Sequence, residues 1–350
     1  MSKRYGLLLI GFGTVAQGLV ELIQKRGAHI QQHYGAEFVI TGVCDLKRGT
    51  LYDAQGLDLQ ALLKLSSADD FSGYKDDQAY LGNKEPLDCI REFDADVVAE
   101  MTFTDIKTGG PAIAHCETAF QTGKHVITTN KGPVAVDYHR LQQMAQDNGC
   151  LWGIEGTVMS GTPVLGTIQQ QLQGATIRSI KGLLNGTTNY ILTQMEQGID
   201  YQAALADAQQ KGYAEADPTA DVEGKDVLAK VVILANVLLG GQLTVDQVAC
   251  EGIQNVSLEN VQHAQDNDQV WKLIGEVTSD DHSVSATVSP QQLDKTHPLA
   301  GIKGATNAVT VNTDELGDVT IMGPGAGKVE TGYALLADLM MIHRHGGEVV

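Results

Sequence analysis

Residues 5–18 read YGLLLIGFGTVAQG, an apolar run that ends directly in a glycine-rich turn. A strand, such a turn and a following helix together form the βα unit that binds dinucleotides. Gly11 permits the tight bend, Gly13 lets a pyrophosphate approach the backbone, and the small Ala16 lets the helix pack closely on the strand. The helix N-terminus then offers amide donors to phosphate. An ordinary glycine-rich turn without a ligand is the alternative.

The next apolar runs extend this unit into a Rossmann-type α/β domain. Further strands are predicted at residues 38–44, 95–101 and 125–129. Ligands of an open parallel sheet lie at the carboxyl ends of its strands, and Thr102, Asn130 and Lys131 follow such ends. A lysine after a strand is normally solvated. Because Lys131 precedes a Gly-Pro pair at the ligand-facing edge, we predict that it is functional.

Asp45 directly follows the second strand, where this fold places the acid that binds the adenosine ribose. Lys47 and Arg48 come next. The carboxylate repels the extra phosphate of NADP, whereas the two basic side chains attract it. A solvated turn is the other reading of Lys47 and Arg48. The sequence therefore leaves the choice between NAD and NADP open.

Composition excludes several classes of protein. The 350 residues carry a net charge of −19, which disfavours nucleic acid and anionic membrane surfaces as partners. With 43% apolar residues, the chain can build two cores. Its five cysteines form no CxxC pair, so we expect neither a disulfide framework nor a zinc site, and we expect the reducing cytoplasm. No apolar run has the length of a membrane span.

Residues 212–240 read GYAEADPTADVEGKDVLAKVVILANVLLG and combine clustered carboxylates with an apolar helix. Asp226 and Lys230 are four residues apart and share one face of that helix. Such a pair is usually solvated. Here the helix is wholly apolar beyond Lys230, as a core helix is. A lysine held where water is scarce, beside carboxylates that orient it, is a candidate proton donor.

Two polar segments precede this helix. Residues 155–163 form a glycine-rich loop whose carbonyls and hydroxyls, with the Glu155 carboxylate, could bind a hard cation of low charge. A plain turn with a helix cap is the simpler reading. Residues 185–189, including Gly186 and Thr187, offer hydrogen bonds to a small polar ligand or cap a helix that we expect to begin near Tyr190.

A second glycine-rich loop, residues 323–327, precedes the predicted final helix at residues 330–341. We expect the chain to return there to the first domain and bring a flexible backbone segment to the nicotinamide half of the cofactor. A ligand-free connection is the alternative. The predicted organisation is a cofactor domain at residues 1–150, completed by 321–350, and an α+β substrate and dimerisation domain at 151–320.

Motifs across nearly the whole chain resemble those of homoserine dehydrogenases. In order they are GFGTVAQG, EMTFTD, VITTNKGPVA, EGTVMSGTPV, LLNGTTNYIL, GYAEADPTADVEGKDVLAK, HPLAGIKGATNAV and GPGAGKVETG. The motif at residues 212–230 is the most specific. The resemblance implies reversible NAD(P)H-dependent reduction of L-aspartate 4-semialdehyde to L-homoserine, on the route to threonine and methionine. The chain ends soon after GPGAG, so we expect neither a regulatory ACT domain nor a fused aspartokinase.

The resemblance also assigns roles by matching motif. Lys230 is the proton donor, Lys131 lies between nicotinamide and substrate, and Gly327 contacts the cofactor. The resemblance also gives the substrate side Glu215, Asp221 and Asp226, and a sodium ion Glu155, Val158, Ser160 and Thr162. The patterns described above add Gly186 and Thr187 on the substrate side and, for the cofactor, Gly11, Phe12, Gly13, Thr14, Val15, Asp45, Lys47, Arg48 and Thr102. The resemblance decides little at Asp45, Lys47 and Arg48, because family members differ there in cofactor choice. Glu215, Asp221 and Asp226 either bind the substrate amino group or orient the lysines. The resemblance further implies a homodimer.

Two other functions compete with this one. An aldehyde dehydrogenase of the semialdehyde or glyceraldehyde-phosphate type needs a nucleophilic cysteine at a ligand-facing loop. Cys44 lies in a predicted strand and Cys116 in a predicted helix, and the other three cysteines are in no such setting either. A non-catalytic dinucleotide sensor would use the same fold for binding alone. It would not require Lys131, Glu215, Asp226 and Lys230 together.

Overall fold

A computed structural model describes residues 2–280 and 283–345 of the chain. They divide into two compact units, one of residues 2–161 with 327–345 and one of residues 162–280 with 283–326. The boundaries lie near 161 and 326, whereas the sequence placed them at 150 and 320. The C-terminal helix groups with the first unit.

The helices and strands are numbered here in chain order. Up to residue 161 they are β1 Lys3–Ile10, α1 Thr14–Tyr34, β2 Ala36–Asp45, β3 Gly49–Tyr52, α2 Leu59–Lys64, α3 Pro86–Glu92, β4 Val97–Glu100, α4 Gly110–Gln121, β5 His125–Thr128, α5 Lys131–Asp147, β6 Trp152–Gly153 and α6 Gly156–Met159. Beyond it they are α7 Leu165–Gln171, β7 Ile177–Leu183, α8 Gly186–Met195, α9 Tyr201–Gln210, α10 Thr219–Val222, α11 Lys225–Leu238, a 3₁₀ turn Val245–Gln247, β8 Ala249–Cys250, α12 Leu258–Asp266, β9 Gln269–Ser279, β10 Val284–Asp294, β11 Thr306–Thr313, β12 Gly317–Pro324 and α13 Lys328–His345.

The sheet of the first unit has the order β3-β2-β1-β4-β5-β6. All neighbours pair in parallel except β3, which runs antiparallel to β2 at the edge. The predicted Rossmann-type α/β domain is confirmed. β2 and β4 flank β1 on opposite sides, so the chain reverses its direction of travel across the sheet at β1. This switch point is where ligands bind in such folds.

Helix α13 completes the first unit by packing on α1. A Cβ on Gly18 would lie 2.1 Å from the Lys328 carbonyl oxygen, and one on Gly332 would lie 2.6 Å from the Gly18 carbonyl carbon. An ion pair of 2.6 Å joins Lys328 to Glu21 beside this contact. The sequence predicts that Ala16 lets α1 pack closely on the strand, and Ala16 is fully buried. The backbone of α1 also approaches that of α13 closely, at Gly18.

The second unit has a six-stranded sheet of order β12-β11-β7-β9-β10-β8. Helix α11 packs on β9 and β10, and α8 and α12 pack on β9. Residues 231–235 of α11 are 0–1% exposed, as expected for a core helix. Helix α8 begins at Gly186 and not near Tyr190, because the Asn185 side chain caps it by accepting from the Thr188 amide.

Candidate active site

The glycine turn of the first unit has the geometry that its sequence demands. Gly11 has φ of 92°, and a Cβ there would lie 2.9 Å from the Met101 carbonyl oxygen. Gly13 precedes α1, and among the described residues no heavy atom lies within 4 Å of a Cβ built on it. The space beside Gly13 and the amides of the first turn of α1 can accept a phosphate.

Asp45 connects the turn after β2 to this glycine turn. Its Oδ2 accepts from the Phe12 amide at 2.9 Å, and its Oδ1 accepts from the amides of Lys47 at 3.0 Å and Arg48 at 3.1 Å. The carboxylate therefore organises both turns while it retains acceptor capacity for a ribose hydroxyl. The Arg48 guanidinium carbon lies 5.9 Å from the centre of the Phe12 ring. Lys47 is exposed.

Asn130 and Lys131 begin helix α5 at the carboxyl end of β5. Asn130 is the N-cap, and its Oδ1 accepts from the Gly132 amide at 2.9 Å. Its Nδ2 donates to the Phe103 carbonyl at 3.0 Å, which ties the helix to the loop after β4. Thr102, in that loop, is partly exposed, as is Lys131. The first unit thus brings together the ends of β4 and β5 as the sequence predicted.

Lys230 of the second unit is buried, with 6% of its surface exposed. Its Nζ donates to Asp226 Oδ2 at 2.8 Å and to the Leu184 carbonyl oxygen at 2.6 Å. The predicted i, i+4 pair is confirmed as a contact and is not a solvated pair. Burial disfavours the ammonium charge, whereas the carboxylate and the carbonyl favour it. Two acceptors therefore hold the Lys230 Nζ in one place.

Asn185 joins this pair to Asp221. Its Nδ2 donates to Asp221 Oδ1 at 2.7 Å and to Asp226 Oδ2 at 3.0 Å. Thr187 donates to the other oxygen of Asp221 at 3.1 Å. Burial raises the pKa of Asp221, the nearby Asp226 charge raises it further, and the hydrogen bonds from Asn185 and Thr187 oppose the shift. Asn185 belongs to the polar segment 185–189 that the sequence predicted to offer hydrogen bonds, but its contacts with Asp221 and Asp226 were not predicted.

Two further predicted substrate residues differ in their surroundings. Gly186 lies against the loop before β11, since a Cβ there would be 2.7 Å from the Ala305 carbonyl oxygen. Only glycine fits without a shift of that loop. Glu215 is exposed, and its main-chain oxygen accepts from Gln209 Nε2 at 3.0 Å. The cluster of contacting polar side chains therefore includes Asn185, Thr187, Asp221, Asp226 and Lys230.

The candidate cation segment, residues 155–162, is not a plain loop. Residues 156–159 form α6, which ends at Ser160 with φ of 54°. The Glu155 amide donates to Asp338 Oδ2 at 3.2 Å, and the Ser160 hydroxyl lies 2.8 Å from that of Thr331. The positive φ of Ser160 ends the helix there, and the last carbonyls of a helix have no partner within the helix itself. Carbonyl and carboxylate oxygens are the kind of ligand that a hard cation prefers.

A metal site built from His, Cys, Asp and Glu side chains and a cysteine nucleophile have less support than the lysine site. Across residues 2–280 and 283–345, no three His, Cys, Asp or Glu side chains are grouped so that they could hold a metal ion. All five cysteines are free, and four of them are buried. Burial raises the pKa of the Cys116 thiol well above its ordinary value. Within this same part of the chain no helix has the length and apolar character needed to cross a membrane.

One buried side chain near the second glycine loop was missed by sequence reasoning. Asn307 is 1% exposed, and neither atom of its amide has a hydrogen-bond partner in the described residues. Its amide nitrogen would lie 2.0 Å from a Cβ on Gly325, so it packs directly on the glycine loop. An unsatisfied buried amide is costly and calls for a partner that these residues do not supply.

Comparisons with known proteins indicate one family. A family model described as homoserine dehydrogenase matches residues 163–340. An NAD(+)-dependent homoserine dehydrogenase from Pseudomonas canavaninivorans is 45% identical over 97% of this chain and 96% of its own length. The crystal structure of a putative homoserine dehydrogenase from Archaeoglobus fulgidus has a TM-score of 0.85 and 33% identity, and the match covers 97% of this chain and 99% of that one.

A more distant structural match has a ligand named in its title. A hyperthermophilic archaeal homoserine dehydrogenase in complex with NADPH has a TM-score of 0.82 and 26% identity, over 98% of both chains. The relative from Pseudomonas canavaninivorans, at 45% identity, and the family model that matches residues 163–340 indicate the same family. From these two matches we conclude that this chain belongs to the homoserine dehydrogenase family.

Proposed function

We propose that this homoserine dehydrogenase uses Lys230 to donate a proton to the aldehyde oxygen of L-aspartate 4-semialdehyde. The observation that carries the proposal is the buried ammonium, held at 2.8 Å by Asp226 and at 2.6 Å by the Leu184 carbonyl. As hydride reaches the carbonyl carbon, negative charge develops on the oxygen. A fixed ammonium both stabilises this charge and supplies the proton.

We assign the amino group of the substrate to the carboxylates near Lys230. Asp221 is fixed by Asn185 and Thr187, so its oxygens are oriented before a ligand arrives. Asp226 is already paired with Lys230. This division favours Asp221 and the exposed Glu215 as the groups that bind the substrate ammonium, and Asp226 as the group that orients Lys230. Thr187 belongs to the same cluster, and Gly186 lies directly before it in the chain.

For the cofactor we propose binding at the switch point of the first unit. Residues 11–15 hold the pyrophosphate, Thr102 and Gly327 contact the cofactor, and Lys131 acts at its nicotinamide end, between cofactor and substrate. The support is the open space at Gly13 together with the ends of β4 and β5 at the same sheet edge. The bound cofactor supplies or accepts the hydride, and the residues of this chain orient it.

We propose that NAD is preferred over NADP. The Asp45 carboxylate lies beside the Phe12 amide, where it can accept from a ribose hydroxyl and repel a 2′-phosphate. The relative from Pseudomonas canavaninivorans is named as NAD(+)-dependent. Lys47 and Arg48 act against this preference, since both carry positive charge in the same turn.

We further propose that residues 155–162 bind a sodium ion through the Glu155 carboxylate and the main chain of Val158, Ser160 and Thr162. The Thr162 hydroxyl donates to the Pro324 carbonyl at 2.9 Å, and that of Ser160 contacts Thr331, so carbonyl oxygens are favoured as ligands. The melting temperature should be higher in sodium chloride than in tetramethylammonium chloride at equal ionic strength. Glu155→Gln should remove that difference. An equal melting temperature in both salts would contradict the site.

A cytoplasmic homodimer completes the proposal. All five cysteines are free, as in proteins of reducing compartments. The helices α8, α11 and α12 pack on the sheet of the second unit, while β12 alternates partly exposed and exposed residues along the sheet edge, including Met322 at 62%. We assign the dimer contact to this sheet. Light scattering should give twice the mass of one chain, and a monomer at micromolar concentration would contradict it.

The activity is tested by mixing the purified protein with L-homoserine and NAD or NADP, while nicotinamide absorbance is followed. Lys230→Met retains much of the side-chain volume and should lower kcat by about 10²–10⁴-fold, with little change in cofactor binding. Lys225→Met is the matched control, because Lys225 lies on the same helix but is exposed and pairs with Glu223. Retention of more than half of the turnover by Lys230→Met would remove Lys230 from the mechanism.

A further inference from the structure

The last residue of β4, Glu100, is a fully buried carboxylate with 0% exposure. Its Oε1 accepts from the Thr102 amide at 3.3 Å and lies 3.2 Å from His115 Nδ1. The Thr102 hydroxyl also donates to Oε1. Its Oε2 accepts from Asn130 Nδ2 at 3.0 Å. Because a buried carboxylate is strongly destabilising unless it is paired and hydrogen-bonded, this network is needed to keep Glu100 in place.

The backbone of Glu100 provides a second connection to Asn130. The Thr128 hydroxyl donates to the Glu100 carbonyl oxygen at 2.8 Å and accepts from the Asn130 amide at 2.9 Å. Thr128 pairs with Glu100 in the sheet and is itself fully buried. Asn130 is thus fixed at both its side chain and its main chain by residues that end adjacent strands.

These contacts determine where Lys131 begins its helix. Asn130 precedes Lys131, and its Oδ1 accepts from the amide of Gly132, which follows Lys131. Gly132 also lies directly against the loop after β4, since a Cβ there would lie 2.8 Å from the Asp105 carbonyl oxygen. Contacts therefore hold the residues on both sides of Lys131. Positioning of this kind lowers a barrier when the fixed group meets the reactants.

We infer that Glu100 is a positioning residue for the dehydrogenase reaction, which through Asn130 fixes the backbone from which Lys131 acts. The inference rests on the proposed role of Lys131 beside nicotinamide and substrate. It explains why a strand that is otherwise apolar ends in a buried acid. A purely structural requirement would be met more simply by an apolar residue at this position.

The test is a double-mutant cycle between Glu100→Gln and Lys131→Met. Glutamine keeps the volume of Glu100, but its single oxygen cannot accept from both Thr102 and Asn130. Alone it should lower kcat by about 10-fold to 100-fold, with the KM for homoserine within about threefold of the parent value. In the Lys131→Met background the same change should lower the remaining kcat by less than about twofold, because no lysine is left to position.

Two further variants complete the experiment. Thr128→Val removes only the hydroxyl that links Glu100 to Asn130, so it should lower kcat in the same direction by a smaller factor. It tests the inference even if Glu100→Gln does not fold. Thr41→Val is the matched control: Thr41 is 1% exposed in the same sheet, and its hydroxyl donates to Leu7 and Asp94 carbonyls at 3.3 Å. Its kcat should stay within about twofold of the parent value.

The outcomes separate the inference from the function on which it rests. If the losses from Glu100→Gln and Lys131→Met multiply, Glu100 acts independently of Lys131 and the inference is overturned. Unchanged kcat in both Glu100→Gln and Thr128→Val also overturns it. If Lys131→Met itself leaves kcat unchanged, the proposed role of Lys131 fails, and the inference fails with it.

Discussion

Replacement of Asp226 by asparagine isolates the contribution of one charge to the site. The substitution keeps the shape of the side chain and one oxygen that can accept from Lys230. It removes the negative charge 2.8 Å from the Lys230 ammonium. Because Lys230 is 6% exposed, water cannot readily replace the lost partner. We expect both the free energy of unfolding and kcat to fall.

The magnitude follows from the geometry. Two unit charges 2.8 Å apart attract each other by about 6 kcal/mol at an effective dielectric constant of about 20. The asparagine oxygen retains part of the interaction, and the 18% exposure of the Asp226 side chain allows some screening. We therefore expect a loss of about 3 kcal/mol in the free energy of unfolding, at the lower end for a broken buried pair. A less firmly held proton donor should lower kcat by about 10-fold to 100-fold.

Urea denaturation and steady-state reduction of aspartate semialdehyde measure the two quantities on the same preparation. Glu223→Gln is the matched control, since it removes a carboxylate from a more exposed ion pair just before the same helix. Its free energy of unfolding should change by less than about 1 kcal/mol, with kcat unaffected. If Asp226→Asn resembled this control in both measurements, the buried pair would not contribute as the geometry implies.

Three further predictions address other parts of the molecule. Gly18→Ala should lower the free energy of unfolding by about 2 kcal/mol or more, measured by urea denaturation, because its Cβ would lie 2.1 Å from the Lys328 carbonyl; Gly27→Ala, at an open position of the same helix, is the control. Burial raises the pKa of Asp221, so acidification should protonate it and raise the KM for homoserine at a pH above the ordinary aspartate value of about 4. The steady-state pH profile of Asp221→Asn should lack that rise in KM. If Asp221→Asn showed the same rise as the parent protein, Asp221 would be excluded as the ammonium ligand. Asp45→Asn should lower the ratio of kcat/KM for NAD to that for NADP by about 10-fold, measured with both cofactors, because it removes the repulsive charge; an unchanged ratio would contradict the proposed NAD preference.

Local patterns were sufficient to predict much of the first unit. The predicted strand at residues 5–10 corresponds to β1, and the one at 38–44 to β2. Apolar runs and glycine turns act over a few neighbouring residues, so their effect is visible in the sequence. The short edge strand β3 was not predicted. It is held by antiparallel pairing with β2, a contact that the pattern of four residues does not reveal.

In the substrate cluster, the contact between neighbouring residues was predicted, and the contacts between distant segments were not. The spacing of Asp226 and Lys230 predicted their contact, which the structure confirms at 2.8 Å. The role of Asn185 was not predicted, although it donates to both Asp221 and Asp226. Those contacts span 36 and 41 positions of the chain. A hydrogen bond over such a separation depends on how helices α8, α10 and α11 come together.

The sequence by itself determined the first strand, glycine turn and helix, the apolar character of the core helix α11, and the family resemblance. Each depends on the chemistry of residues that are close along the chain. Only the tertiary structure decided that Gly18 contacts α13, that Asn185 joins two aspartates, and that Glu100 fixes Asn130. These contacts require atoms from distant segments to meet within hydrogen-bond or van der Waals distance, and folding brings them together.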